Sequence, residues 1–124
     1  PYPGLSGGEK QRVHLARVLL QLSQATEAPV LLLDEPTSAQ DLGQQHAVLR
    51  MVEDLCSGQG YMAVAVLHDL NQALRYTQRC SLVDAGAIVS QGVPDVVITP
   101  DTVHRYWGYP AESATTADGR RQLL

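Results

Sequence analysis

Asp34 and Glu35 stand side by side at the end of a four-residue apolar run, Val30 to Leu33, and lead directly into Pro36-Thr37. A short unbroken apolar run of this kind reads as a strand buried on both faces, as in a parallel sheet. Ligands of open α/β sheets gather beyond the carboxyl ends of the strands. Two neighbouring carboxylates at such an end repel each other unless a cation or a proton is used there. Mg2+ bound to a nucleotide phosphate suits the pair, because that ion takes one or two carboxylates and fills its other positions with waters and phosphate oxygens. A solvated acidic turn is the plainer alternative, and it accounts poorly for an apolar strand feeding straight into Asp-Glu-Pro-Thr.

A second cluster opens the chain. Leu5-Ser6-Gly7-Gly8-Glu9 places two glycines at the start of a helical pattern. Glycines let backbone N–H groups approach an anion closely, and a helix N-terminus carries a partial positive charge. Together they make a phosphate-binding helix end. Ser6 and Glu9 have the spacing of a capping box, so a capped surface helix with a glycine-rich entry is the simpler reading of these residues alone. The third candidate is His68, which follows the apolar run Val64 to Leu67 and repeats the position of the carboxylates at a strand end. His14, His46 and His104 have no such setting and read as ordinary helix residues.

The elements that must hold these groups alternate. A helix is expected from Ser6 to about Leu22, with Val13, Ala16, Leu19 and Leu20 at helical spacing. A loop from Ser23 to Pro29 precedes the first strand. Asp41 and Gln44 mark the start of a second helix ending near Ser57, and Gly58 and Gly60 make the turn. Tyr61 to Leu67 is a second buried strand, and a helix follows over Leu70 to Thr77. Ser81–Val83 and Ile88–Ser90 flank a hairpin turn at 84–87. Short helices are expected at 94–98 and 101–106. The tail from Ala111 is small and polar and is expected to be disordered. Such alternation points to α/β architecture with a parallel sheet.

Composition narrows the classes. At 124 residues with 44% apolar content the chain suits one domain or part of one. A net charge of −4 implies no basic face for nucleic acid. Cys56 and Cys80 lack metal-ligand spacing and read as buried or half-buried thiols in a reducing compartment. No apolar run approaches the roughly 20 residues that cross a bilayer. The chain opens on Pro1 immediately before a motif, which reads as the start of a piece of a longer protein.

Taken as strings, these segments resemble a family. LSGGEKQRVHLAR, from Leu5 to Arg17, closely resembles the signature motif of ATP-binding-cassette (ABC) ATPases. VLLLDEPTS resembles their Walker B motif, Ser38-Ala39-Gln40-Asp41 their D-loop with Gln40 in place of the usual Leu, and VLHDLNQA their switch-histidine loop. The four occur in the family's order over roughly Tyr2 to Gly108. The resemblance implies a partial P-loop NTPase domain with a parallel sheet core, a signature helix, and a C-terminal β-hairpin plus short helices. Residues 1–110 would form the C-terminal part of the nucleotide-binding domain, and 111–124 a disordered tail.

The resemblance also implies roles. Leu5, Ser6, Gly7, Gly8, Glu9 and Asp41 would serve nucleotide binding, with Ser6, Gly7 and Gly8 on the γ-phosphate of an ATP held mainly by a second copy. Asp34 would hold Mg2+ through water. Glu35 would be the general base and His68 the γ-phosphate contact. The implied partners are a second ATPase subunit, transmembrane permease subunits and, indirectly, a periplasmic binding protein, at the cytoplasmic face of the inner membrane. The finer resemblance, through HDLNQA and GVPDVVITPDTVHRYWG, is to importer ATPases for iron chelates, haem and vitamin B12, and QRVHLARVLLQL with DEPTSAQDLGQQHAVL resembles those for hemin, which makes hemin the favoured cargo. No GxxxxGK[ST] phosphate loop or Q-loop stretch occurs in the 124 residues, so this chain alone is expected to be inactive. A non-transport ABC ATPase and a non-catalytic dimerisation fragment are the alternatives.

Overall fold

The computed structural model describes residues 4–38 and 40–124, with Gln11 as backbone only. The chain forms two compact units, residues 1–67 and 68–124.

In the first unit, α1 (Gly7–Leu22) and β1 (Val30–Asp34) are followed by α2 (Leu42–Gln59) and β2 (Met62–Val66). α2 starts where Asp41 caps it and stops at Gly60, whose φ of 71° turns the chain into the left-handed region and whose N–H donates to the Leu55 carbonyl. β1 and β2 pair in parallel, from Val30 opposite Met62 to Asp34 opposite Val66. α2 is the crossover between them, as a parallel pair requires. The core lies on one side of this pair, where Leu31 (2% exposed) shares the buried set with Val48, Leu49 and Val52 of α2. The expectation that both strands are buried on both faces is corrected. Val30, Leu32, Met62, Val64 and Val66 are exposed, Leu32 by 75%. Their alternation follows the packing of α2 on one face of the pair, with the side chains of the other face exposed.

The second unit contains α3 (Leu70–Tyr76), β3 (Cys80–Asp84), β4 (Ala87–Gly92), α4 (Pro94–Val97), α5 (Pro100–Trp107), β5 (Ser113–Thr115) and β6 (Arg121–Leu123). The expected hairpin is β3–β4. Its two-residue loop, Ala85-Gly86, has both residues at positive φ (47° and 79°), which matches the twist of the flanking strands. The register shifts between Leu82 and Val83, leaving Val89 as the extra residue of a bulge. Proline begins both α4 and α5, where a missing N–H costs nothing. Ala73, Tyr76, Val97, Ile98 and Val103 are buried together with the polar Gln72, and α4 packs against both strands of the hairpin. Cys56 and Cys80 are half-buried free thiols, and burial pushes the Cys80 thiol up from its ordinary pKa.

The expected division at residue 110 is also corrected. The segment from Ala111 is an antiparallel hairpin, with Ser113 opposite Leu123 and Thr115 opposite Arg121. The Thr116 N–H donates to the Arg120 carbonyl (2.8 Å) and the Gly119 N–H to the Thr116 carbonyl (2.9 Å), with Gly119 at φ 80°. Thr116-Ala117-Asp118-Gly119 is therefore an ordered, mostly exposed turn, and β6 packs on α3.

Candidate functional site

The helix end at Ser6 is built by its own sequence. Ser6 is extended (φ −62°, ψ 164°) and caps α1. Its hydroxyl accepts from the Glu9 N–H (3.3 Å), while its own N–H and hydroxyl both donate to Glu9 Oε2 at 2.8 Å. These bonds hold the Glu9 carboxyl below the usual carboxylate range, the Ser6 backbone bond first and its hydroxyl second. The first intrahelical bond runs from the Lys10 N–H to the Ser6 carbonyl. The N–H groups of Gly7 and Gly8 thus belong to the helix end that has no intrahelical acceptor. Ser6, Gly7 and Glu9 are exposed, and Leu5 and Gly8 are half-buried. The arrangement offers an anion a helix end with two side-chain-free residues, at which the Ser6 hydroxyl is already engaged by Glu9.

The acidic pair is held differently. Asp34 is the exposed last residue of β1, and Glu35 is half-buried with a φ of 45°. A glutamate in the left-handed region carries a backbone cost of about 1–2 kcal/mol, which the surroundings must offset. They do so by hydrogen bonding: the Glu35 carbonyl accepts from both the N–H (3.0 Å) and the hydroxyl (2.9 Å) of Ser38. The chain of bonds continues into α2. Gln40 Nε2 donates to the Pro36 carbonyl (3.4 Å), Gln45 Nε2 to the Gln40 carbonyl (3.0 Å), and the Gln44 N–H to Asp41 Oδ1 (2.9 Å). Gln40, the departure from the D-loop pattern, uses its amide to tie the loop to Pro36. Ala39 lies outside the described residues. Asp34 and Glu35 supply the oxygen donors that Mg2+ prefers. Among the described residues no group of three or more His, Cys, Asp or Glu could hold a metal ion.

His68 is exposed and belongs to the second unit. It directly precedes Asp69, whose carboxylate caps α3 by accepting from the N–H groups of Asn71 (2.8 Å) and Gln72 (3.1 Å). The structure thus brings Asp34, Glu35 and Asp41 into one hydrogen-bonded segment and builds Leu5 to Glu9 as a separate helix end. Two features were not foreseen from the sequence: the left-handed backbone of Glu35, and the side chain of Asn71, which binds the last strand. A recess of about 600 Å3 runs along α2, lined by residues including His46, Arg50, Met51 and Asp54, and contains none of the expected site residues.

Comparison with known proteins supplies the context. The family pattern described as ABC transporter matches residues 2–38. A hemin import ATP-binding protein (HmuV) of Shewanella denitrificans is 56% identical over 123 residues, covering 99% of this chain and 48% of that protein. Its counterpart in Photobacterium profundum is 50% identical over 109 residues, covering 88% and 39%. This chain thus spans half or less of the length of the curated relatives it matches. An inward-facing metal-chelate-type ABC transporter superposes with a TM-score of 0.81 at 26% identity, over 99% of this chain and 48% of that one. A dimeric bacterial ABC transporter cassette gives 0.64 at 30% identity, over 75% and 38%.

Proposed function

From the premise that this chain belongs to the ATP-binding-cassette family, we propose that it is the signature-bearing part of the ATPase subunit of a bacterial importer, and that the cargo is hemin. The observation that carries the reading is the hydrogen-bonded segment from Asp34 to Gln45, in which two carboxylates stand at the end of a strand in parallel pairing, beyond which ligands of such sheets bind. The cargo rests on the names of the relatives that are 56% and 50% identical.

In this mechanism the helix end at Ser6, Gly7 and Gly8 binds the γ-phosphate of an ATP held by a second copy, and Leu5 and Glu9 shape that end. The Ser6 hydroxyl turns from the Glu9 carboxylate toward a phosphate oxygen when the two copies close. Asp34 would hold Mg2+, and the ion would supply charge neutralisation at the phosphates. Glu35 accepts the proton of the attacking water. His68 contacts the γ-phosphate, and Asp41 anchors the D-loop at the seam between copies. Opening after hydrolysis moves transmembrane permease subunits, to which a periplasmic binding protein delivers cargo. The subunit sits peripherally at the cytoplasmic face of the inner membrane; no helix among the described residues is long and apolar enough to cross a bilayer.

The test is Glu35→Gln in the intact subunit. Hydrolysis falls by about 100-fold or more, as for loss of a positioned general base, and an ATP-bound dimer accumulates in size-exclusion chromatography. Unchanged turnover, or no dimer, overturns the assignment of Glu35. The 124 residues contain no phosphate loop, so calorimetric titration of this chain alone with Mg2+-ATP yields no measurable heat of binding. Stoichiometric binding would show that the signature and Walker B segments form a site without it.

A further inference from the structure

The last strand is tied to the helix that follows His68 by an interaction that none of the assigned roles explains. In the β5–β6 hairpin, Glu112 and Leu124 exchange both backbone bonds, as the alternation of an antiparallel ladder requires. The same alternation turns the N–H and carbonyl of Leu123 away from β5, toward the outer edge. Asn71 meets both of them. Its Nδ2 donates to the Leu123 carbonyl (3.1 Å), and its Oδ1 accepts from the Leu123 N–H (2.8 Å). A primary amide reproduces here the two complementary bonds of a strand neighbour, and satisfies an edge that would otherwise lie open. The Asn71 N–H is simultaneously bonded to the capping carboxylate of Asp69. One residue therefore joins the first turn of α3, two residues beyond His68, to the end of the chain. A second anchor holds the same strand: the Arg121 guanidinium donates to the Ile98 carbonyl, with Nε 3.2 Å from Asp95 Oδ1.

We propose that Asn71 is a positioning residue for His68, and that the C-terminal hairpin is a latch that fixes the start of α3 and through it the backbone presenting the imidazole. The inference rests on the reading of His68 as the γ-phosphate contact. α3 has only seven residues and little cooperativity of its own, so its first turn depends on what it is bonded to. An undocked hairpin takes the Asn71–Leu123 bonds away from the first turn of α3, and misplacement on the scale of an ångström is costly to catalysis.

The experiment compares Asn71→Ala, His68→Ala and the double variant in the intact subunit, by steady-state ATPase kinetics and amide exchange at Leu123. Asn71→Ala speeds exchange of the Leu123 N–H, lowers kcat roughly tenfold with KM for ATP held within about twofold, and adds no further loss once His68 is gone. Unchanged exchange at Leu123, unchanged kcat after the hairpin is released, or a full multiplicative loss in the double variant each overturn the latch. An unchanged kcat in His68→Ala overturns the underlying reading of His68 instead. Should Asn71→Ala fail to fold, Arg121→Met releases the second anchor, and the same exchange and kcat pattern is expected of it.

Discussion

The two units solve the problem of an open sheet edge or face in opposite ways. In the first, α2 covers one side of the β1–β2 pair, and the other side presents Leu32, Val64 and Met62 to solvent. In the second, a hairpin of small and polar residues folds back, and side-chain amide and guanidinium groups pin its outer strand. The unit that bears the carboxylates packs one face of its strand pair under an apolar helix; the unit that bears the histidine leaves Val83, Ile88 and Val96 exposed as well, but holds its last strand with polar bonds.

Substitution of neighbouring residues on β1 tests this contrast most strongly. Leu31→Ala removes a side chain from the covered face and costs roughly 2–5 kcal/mol in a urea melt. Leu32→Lys, one residue on but on the bare face, shifts the same melt by no more than about 0.5 kcal/mol, while reducing self-association in sedimentation. Equal costs at the two positions would mean that the outer face is covered after all.

The helix ends give a smaller effect. Ser6→Ala costs about 1 kcal/mol through loss of the cap. The partner contribution of Glu9 is pH-dependent, and its sign follows from a carboxyl held below its ordinary value in the folded chain. The stabilisation is complete above the ordinary glutamate pKa of 4.5 and disappears as pH falls through the lowered one. A comparison of thermal melts of the parent chain and Glu9→Gln across acid pH checks this; a gap that widens toward low pH would reverse the sign.

The smallest expected change lies in the second unit. Ala85 occupies a left-handed turn position better suited to Asn or Gly. Ala85→Asn raises the melting temperature by the equivalent of about 0.5–1 kcal/mol, and a loss of stability would show that the turn is not what limits β3–β4.

Much of this was legible in the sequence because the signals were local. Ser6 with Glu9, and Asp41 with Gln44, announce their helices through bonds spanning three residues, and the structure shows those bonds. The turn at 84–87 and the proline-started helices were equally local. What escaped was decided at a distance. The tail from Ala111 has the composition of a disordered segment, and its order depends on Asn71 and Ile98, 52 and 23 residues away from their partners. The strands looked buried on both faces because an apolar run does not say how many layers it will meet. The backbone of Glu35 could not be foreseen, because nothing in a glutamate asks for positive φ.

That backbone has a consequence for how the position drifts under mutation. Glycine is the residue that a φ of 45° favours, so Glu35→Gly relieves the local cost even as it deletes the carboxylate. With Glu35 in its proposed role as general base, stability and chemistry select in opposite directions at one codon. A library sorted only for folded protein enriches glycine there, and a library sorted for turnover purges it.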